Sequence, residues 1–102
     1  MLELRPNCER CDRDLPPEST EARICSYECT FCADCAQNHL HDVCPNCGGG
    51  FERRPIRPRT EWRKGVSRVH QPHSAERRRL KWDAHEVAEH VARIREIPPP
   101  DR

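Results

Sequence analysis

Cys8, Cys11, Cys25, Cys29, Cys32, Cys35, Cys44 and Cys47 all lie in the first half of the chain, and the second half has no cysteine. Their spacing, C-x2-C-x13-C-x3-C-x2-C-x2-C-x8-C-x2-C, resolves into four close pairs. Thiolates can act as nucleophiles, form disulfides or bind soft metals. Eight of them in two- and three-residue steps fill two four-sulfur tetrahedra, which is the ligand set of structural zinc. Disulfides are the rival. The opening MLELRPNCER carries charges and no apolar stretch of signal-peptide length, so a reducing cytoplasmic setting is expected, and there Cys-x-x-Cys favours metal. Four close pairs also suit two mononuclear ions better than an iron–sulfur cluster. Two zinc ions are therefore the expected cofactors.

The elements that must position these thiols have little apolar material. Only 34% of the 102 residues are hydrophobic, as many as are charged, and ten are proline. A small module of this kind needs metal staples in place of a large core. Leu15, Ile24, Tyr27, Phe31, Leu40 and Val43 lie between the ligands and are expected to make the mini-core. The fold class expected is a small zinc-stabilised module at 1–50, with a few short strands and a short helix. After it come a basic Pro/Arg-rich linker at 51–73, an amphipathic helix at 74–97 and a disordered tail at 98–102. The helix rests on Leu80, Ala84, Val87, Val91 and Ile94, which step by three and four residues, with Ser74 as N-cap and Pro98 as stop. It either docks on the module, self-associates or stays free.

Keeping each close pair on one ion leaves three arrangements. The interleaved one is expected: Cys8, Cys11, Cys32 and Cys35 on one ion, and Cys25, Cys29, Cys44 and Cys47 on the other. It cross-links distant segments twice. The sequential arrangement, and one joining the first pair to the last, remain open. The spacing resembles the RING cross-brace, down to the two-residue step between its second and third pairs and the Cys44-Pro45-Asn46-Cys47-Gly48 knuckle. All eight ligand positions are cysteine here, whereas the fourth in RING domains is usually histidine. MLELRPNCERCDRDLPP, ICSYECTFCADCA at 24–36 and CPNCGG at 44–49 also resemble a family of short bacterial proteins, domain of unknown function 1272. That resemblance implies a bacterial, cytoplasmic, cysteine-rich zinc fold and brings no assigned activity. His39 and His41 are read as solvated or hydrogen-bonding residues, since eight thiolates already suffice.

Charge divides the chain. Residues 1–50 have four arginines against nine acids, a net −5, and residues 51–102 have fourteen cations against eight acids, a net +6. The halves should attract. Between 53 and 81 eleven cations face two acids, so Arg53, Arg54, Arg57, Arg59, Arg63 and Lys64, with Trp62 for stacking, are candidate nucleic-acid contacts. The other reading is a basic linker lying over the acidic module, and it is preferred. Two saturated metal sites leave no open coordination position, and no nucleophile–base set stands out, so no catalytic residue or small-molecule substrate is expected. Ubiquitin-ligase chemistry is not expected, because Arg10 stands where RING ligases place an apolar contact. No run approaches the length of a membrane span. The function expected is that of a protein-interaction or adaptor unit with an unidentified protein partner, the alternative being nucleic-acid binding.

Overall fold

The computed structural model describes residues 1–102. Three short strands, β1 (Ala22–Ile24), β2 (Thr30–Cys32) and β3 (Glu52–Arg53), form an antiparallel sheet in the order β2-β1-β3. Arg23 sits opposite both Phe31 and Arg53, so β1 is the central strand. The β1–β2 hairpin loop carries Cys25 and Cys29, and β2 ends on Cys32. A π-helical turn, Cys35–His39, comes next, with the Leu40 N–H reaching back to the Cys35 carbonyl at 2.8 Å.

The core is small and its largest side chain is Phe31, which meets Phe51 edge-on at a centroid distance of 5.2 Å. Leu15, Leu40 and Val43 are buried with it, as the sequence predicts, and Ile24 is half-buried. Tyr27 departs from expectation: it is 72% exposed, at the turn of the hairpin loop. Ala22, Ala36 and Val91 complete the cluster, and Leu80, Val87 and Ile94 pack against it from the second half of the chain.

That second half covers the first. The helix expected over 74–97 is shorter, α1 (Ala84–Ile94), and its N-cap is Asp83 rather than Ser74. Asp83 accepts from the Glu86 N–H, and the Glu86 carboxylate accepts from the Asp83 N–H, a reciprocal capping box. Residues 74–82 run as an irregular strap, neither helix nor strand. Their backbone N–H groups have better partners than a helix would supply: Ser74 donates to the Leu4 carbonyl, Arg78 to Asn7 Oδ1 and Leu80 to the Glu9 carbonyl. Asn7 Nδ2 donates back to the Arg78 carbonyl at 2.8 Å. The tail expected to be disordered forms a 3-10 turn at Pro99–Asp101, and Arg102 donates to the Asp42 and Gly48 carbonyls. No helix is long and apolar enough to cross a membrane.

Candidate metal centre

The sulfurs of Cys8, Cys11, Cys32 and Cys35 all lie within 4.8 Å of one another. A tetrahedral four-sulfur site with bonds of ~2.3 Å has edges of ~3.8 Å, and Cys11 Sγ and Cys32 Sγ stand 3.9 Å apart. All eight cysteines are free thiols. The donor set fits a soft divalent cation.

A second group of sulfurs, those of Cys25, Cys44 and Cys47, gathers within the same 4.8 Å limit. Cys29 is the looser member. Its Sγ accepts from Asn46 Nδ2 at 3.4 Å, but it does not close on all three other sulfurs at once. The spacing makes it an equal fourth ligand, because spacing shows which segment a thiol is on and not how far its side chain reaches. The grouping of sulfurs interleaves along the chain.

Backbone N–H groups point at the sulfurs in each cluster. Cys11 N–H donates to Cys8 Sγ at 3.5 Å, Cys35 N–H to Cys32 Sγ at 3.4 Å, Tyr27 N–H to Cys25 Sγ at 3.3 Å and Gly49 N–H to Cys47 Sγ at 3.4 Å. Such donors favour thiolate over thiol. Crowding opposes it. Hydrogen bonds from Cys29 and Cys44 hold the Cys25 thiol down to about 3, while Cys44 is pushed up by the same neighbours, Cys25 and Cys29, and by burial. Burial likewise pushes up Cys35. A divalent cation would offset the burial that opposes ionisation of Cys44 and Cys35.

His39 and His41 belong to neither cluster: His39 Nε2 lies 3.4 Å from Asp34 Oδ2 at the surface, and His41 is exposed.

Residues 1–57 match the family described as "Protein of unknown function (DUF1272)". The chain belongs to this family. An uncharacterized protein of Rhizobium meliloti (strain 1021) is 62% identical over 64 residues, covering 63% of this chain and 76% of its own length. No solved structure matches. Both sulfur clusters fall inside the DUF1272 region, and so does Arg54. The strap and α1 fall outside it.

The candidate nucleic-acid residues scatter. Arg53, Arg59, Trp62, Arg63 and Lys64 are exposed. Arg54 is buried, and its guanidinium donates to the carbonyls of Arg5, Leu15 and Pro16. Arg57 donates to the carbonyls of Gln71 and Leu2, both at 2.6 Å. Those two arginines are internal clamps and have little left for phosphate. Sequence reasoning missed Asn46, Trp82 and His90. Trp82 Nε1 donates to Asn46 Oδ1 at 3.0 Å, and His90 Nε2 bonds the Cys44 carbonyl at 3.0 Å, so the second half of the chain grips the second knuckle directly. The Pro-Asn pair in the knuckle was visible in the sequence, but nothing local marks which distant aromatic it holds.

Proposed function

We propose that this is a structural zinc protein. Cys8, Cys11, Cys32 and Cys35 hold one ion and Cys25, Cys29, Cys44 and Cys47 hold the other, cross-braced, and the whole acts as a small binding or adaptor unit. The observation that carries this reading is the first cluster, in which two close pairs separated by 21 residues bring four sulfurs within one ion's reach. Four thiolates are a soft donor set of tetrahedral shape, which favours zinc over hard cations. When bound, the ions supply folding energy, on the order of 10–16 kcal/mol in zinc-finger peptides. A site closed by four sulfurs has no position for an activated water, so the proposal assigns no catalytic role.

Elemental analysis of the purified chain should find two zinc ions per molecule. Excess strong chelator should then abolish the near-ultraviolet circular dichroism as the module unfolds. A chelator-resistant fold, a single ion, or the visible absorption of an iron–sulfur cluster would each overturn the reading.

A further inference from the structure

Trp82 lines three grooves. One, of about 530 Å³, lies against the first knuckle and is lined by Arg10, His39, Arg79, Leu80, Trp82 and Val87. Another, of about 610 Å³, includes Asn46, Arg5, Arg78, Arg79 and Lys81 with Glu76, and a third, of about 330 Å³ beside α1, carries Glu86 and Glu89 with Arg93. The indole is 45% exposed, yet it is held in place: its N–H is tied to Asn46 Oδ1, and Asn46 is tied through Nδ2 to Cys29 Sγ. An aromatic wall anchored to a metal-site sulfur costs little ordering entropy when a flat partner stacks on it.

In the first two grooves cations outnumber acids, and it is there that an anion fits. Glu9 lines both grooves but is buried, with Arg5 Nη1 at 3.0 Å and the Thr30 N–H at 2.6 Å. Arg10 and Lys81 have no carboxylate partner within ion-pair distance, and Arg10 Nη1 rests 3.4 Å from Cys35 Sγ. Arg79 shares one nitrogen with Asp12 at 3.1 Å, and its side chain is exposed. Arg78 lies 3.5 Å from Glu3 and 3.9 Å from Glu76, longer than a charge-assisted hydrogen bond. His39 faces Asp34.

We propose that single-stranded nucleic acid binds here, one base stacked on Trp82 and the flanking phosphates carried by Arg10 and Arg79 on one side and Arg78 and Lys81 on the other. A planar aromatic beside separated cations is the pairing that reads a single strand without sequence preference. Two cation-rich grooves that meet at Trp82 and Arg79 fit a polymer running past them better than a lone nucleotide. This relocates the contact from Trp62 to Trp82. The proposal rests on the metal reading only through Cys29, which anchors Asn46, and metal content is measured separately.

The test is fluorescence anisotropy of labelled oligo-dT and oligo-U, about ten nucleotides long, with the full zinc-loaded chain. AMP and poly-glutamate serve as competitors. Trp82→Ala should weaken binding about tenfold, the scale of one stacked base; Trp62→Ala should change it less than twofold. Three to four phosphate contacts predict a log–log salt slope of about −2 to −3. Metal content of each variant reports whether the module has folded, and amide exchange of 74–94 whether the strap and α1 are still docked. In the Trp62→Phe protein, where Trp82 is the remaining tryptophan, the wild-type groove itself is read, and the oligonucleotide must quench its emission. Absence of binding, unchanged Trp82 emission, loss on Trp62→Ala instead, or equal competition by poly-glutamate would each overturn the proposal. The stronger of the two oligonucleotides identifies the source, and AMP competing at the same concentration would overturn the preference for a strand.

Discussion

Asp12 and Gly48 occupy the same place in two knuckles. Each comes directly after the second cysteine of a Cys-x-x-Cys pair, each has a positive φ (67° and 80°), and each donates its N–H at 2.8 Å to the carbonyl of the pair's first cysteine, Cys8 or Cys44. Glycine takes that conformation freely and an aspartate tolerates it better than most residues. Asp12 has a further reason to be there, because its carboxylate accepts from Asn7 Nδ2 and from Arg77.

Substitution should separate the two positions. At Gly48 an added Cβ would be strained and would sit 3.3 Å from Ile94 Cδ1, so Gly48→Ala should destabilise by about 1–2 kcal/mol. Asp12→Gly should come out more stable than Asp12→Ala, since both lose the carboxylate and only glycine recovers the backbone. Chemical denaturation of zinc-loaded protein ranks the three, and equal stability of the two Asp12 variants would contradict the backbone argument.

Arg54, just past β3, clamps the end of the module onto its N-terminal segment. Its burial depresses its basicity, and no carboxylate compensates; three backbone carbonyls, those of Arg5, Leu15 and Pro16, do. Arg54→Met should cost about 2–4 kcal/mol by leaving those carbonyls unpaired. Arg54→Lys should recover only part, because an ammonium cannot span the same fork. Thermal unfolding of the two variants beside the wild type checks the order.

The helix should be separable from the metal. Asp83→Ala removes the N-cap and should cost about 1 kcal/mol. Val91→Asp places a charge in the interface where Val91 is now buried, and should detach α1 while both zinc ions stay bound. Amide exchange of 84–94 with metal analysis on the same sample is the measurement. Loss of zinc from Val91→Asp would mean the module depends on its cover.

The strap also has a pH signature. The Arg77 guanidinium holds the Asp12 carboxyl below the usual carboxylate range, and Arg77 also bonds Asp14 at 2.7 Å. A depressed folded pKa stabilises above the unfolded value, near 3.9 for Asp, and the gain is lost as pH falls through the folded value. The stability difference between wild type and Arg77→Gln should therefore be flat from pH 7 to about 5 and shrink below about pH 4, measured by denaturation in excess zinc. A difference that grew on acidification would exclude the pair as its source.

The stretch from Ser74 to Trp82 shows where sequence reasoning stopped. Read alone, Ser74, Glu76 and the Leu80 stripe start a helix; in the fold the N–H groups of Ser74, Arg78 and Leu80 meet Leu4, Asn7 and Glu9, and the strap stays non-helical. Propensity loses there because three of the backbone donors, those of Ser74, Arg78 and Leu80, have fixed acceptors on the module. The stripe itself was legible: Leu80, Val87 and Ile94 do pack on the core, and Val91 is buried in it. Between docking, self-association and a free helix, the periodicity could not choose.

What the residues determined by themselves was local chemistry: eight thiols in four close pairs, too little apolar surface for an ordinary core, and a basic half complementary to an acidic one. Spacing along a chain sets which donors can share a knuckle. Only the tertiary structure decided which knuckles meet, that Cys29 stands slightly apart, that Arg54 and Arg57 turn inward, and that Trp82 is pinned to Asn46. Those outcomes depend on distances between segments tens of residues apart, and such distances are settled by burial and backbone pairing across the whole molecule.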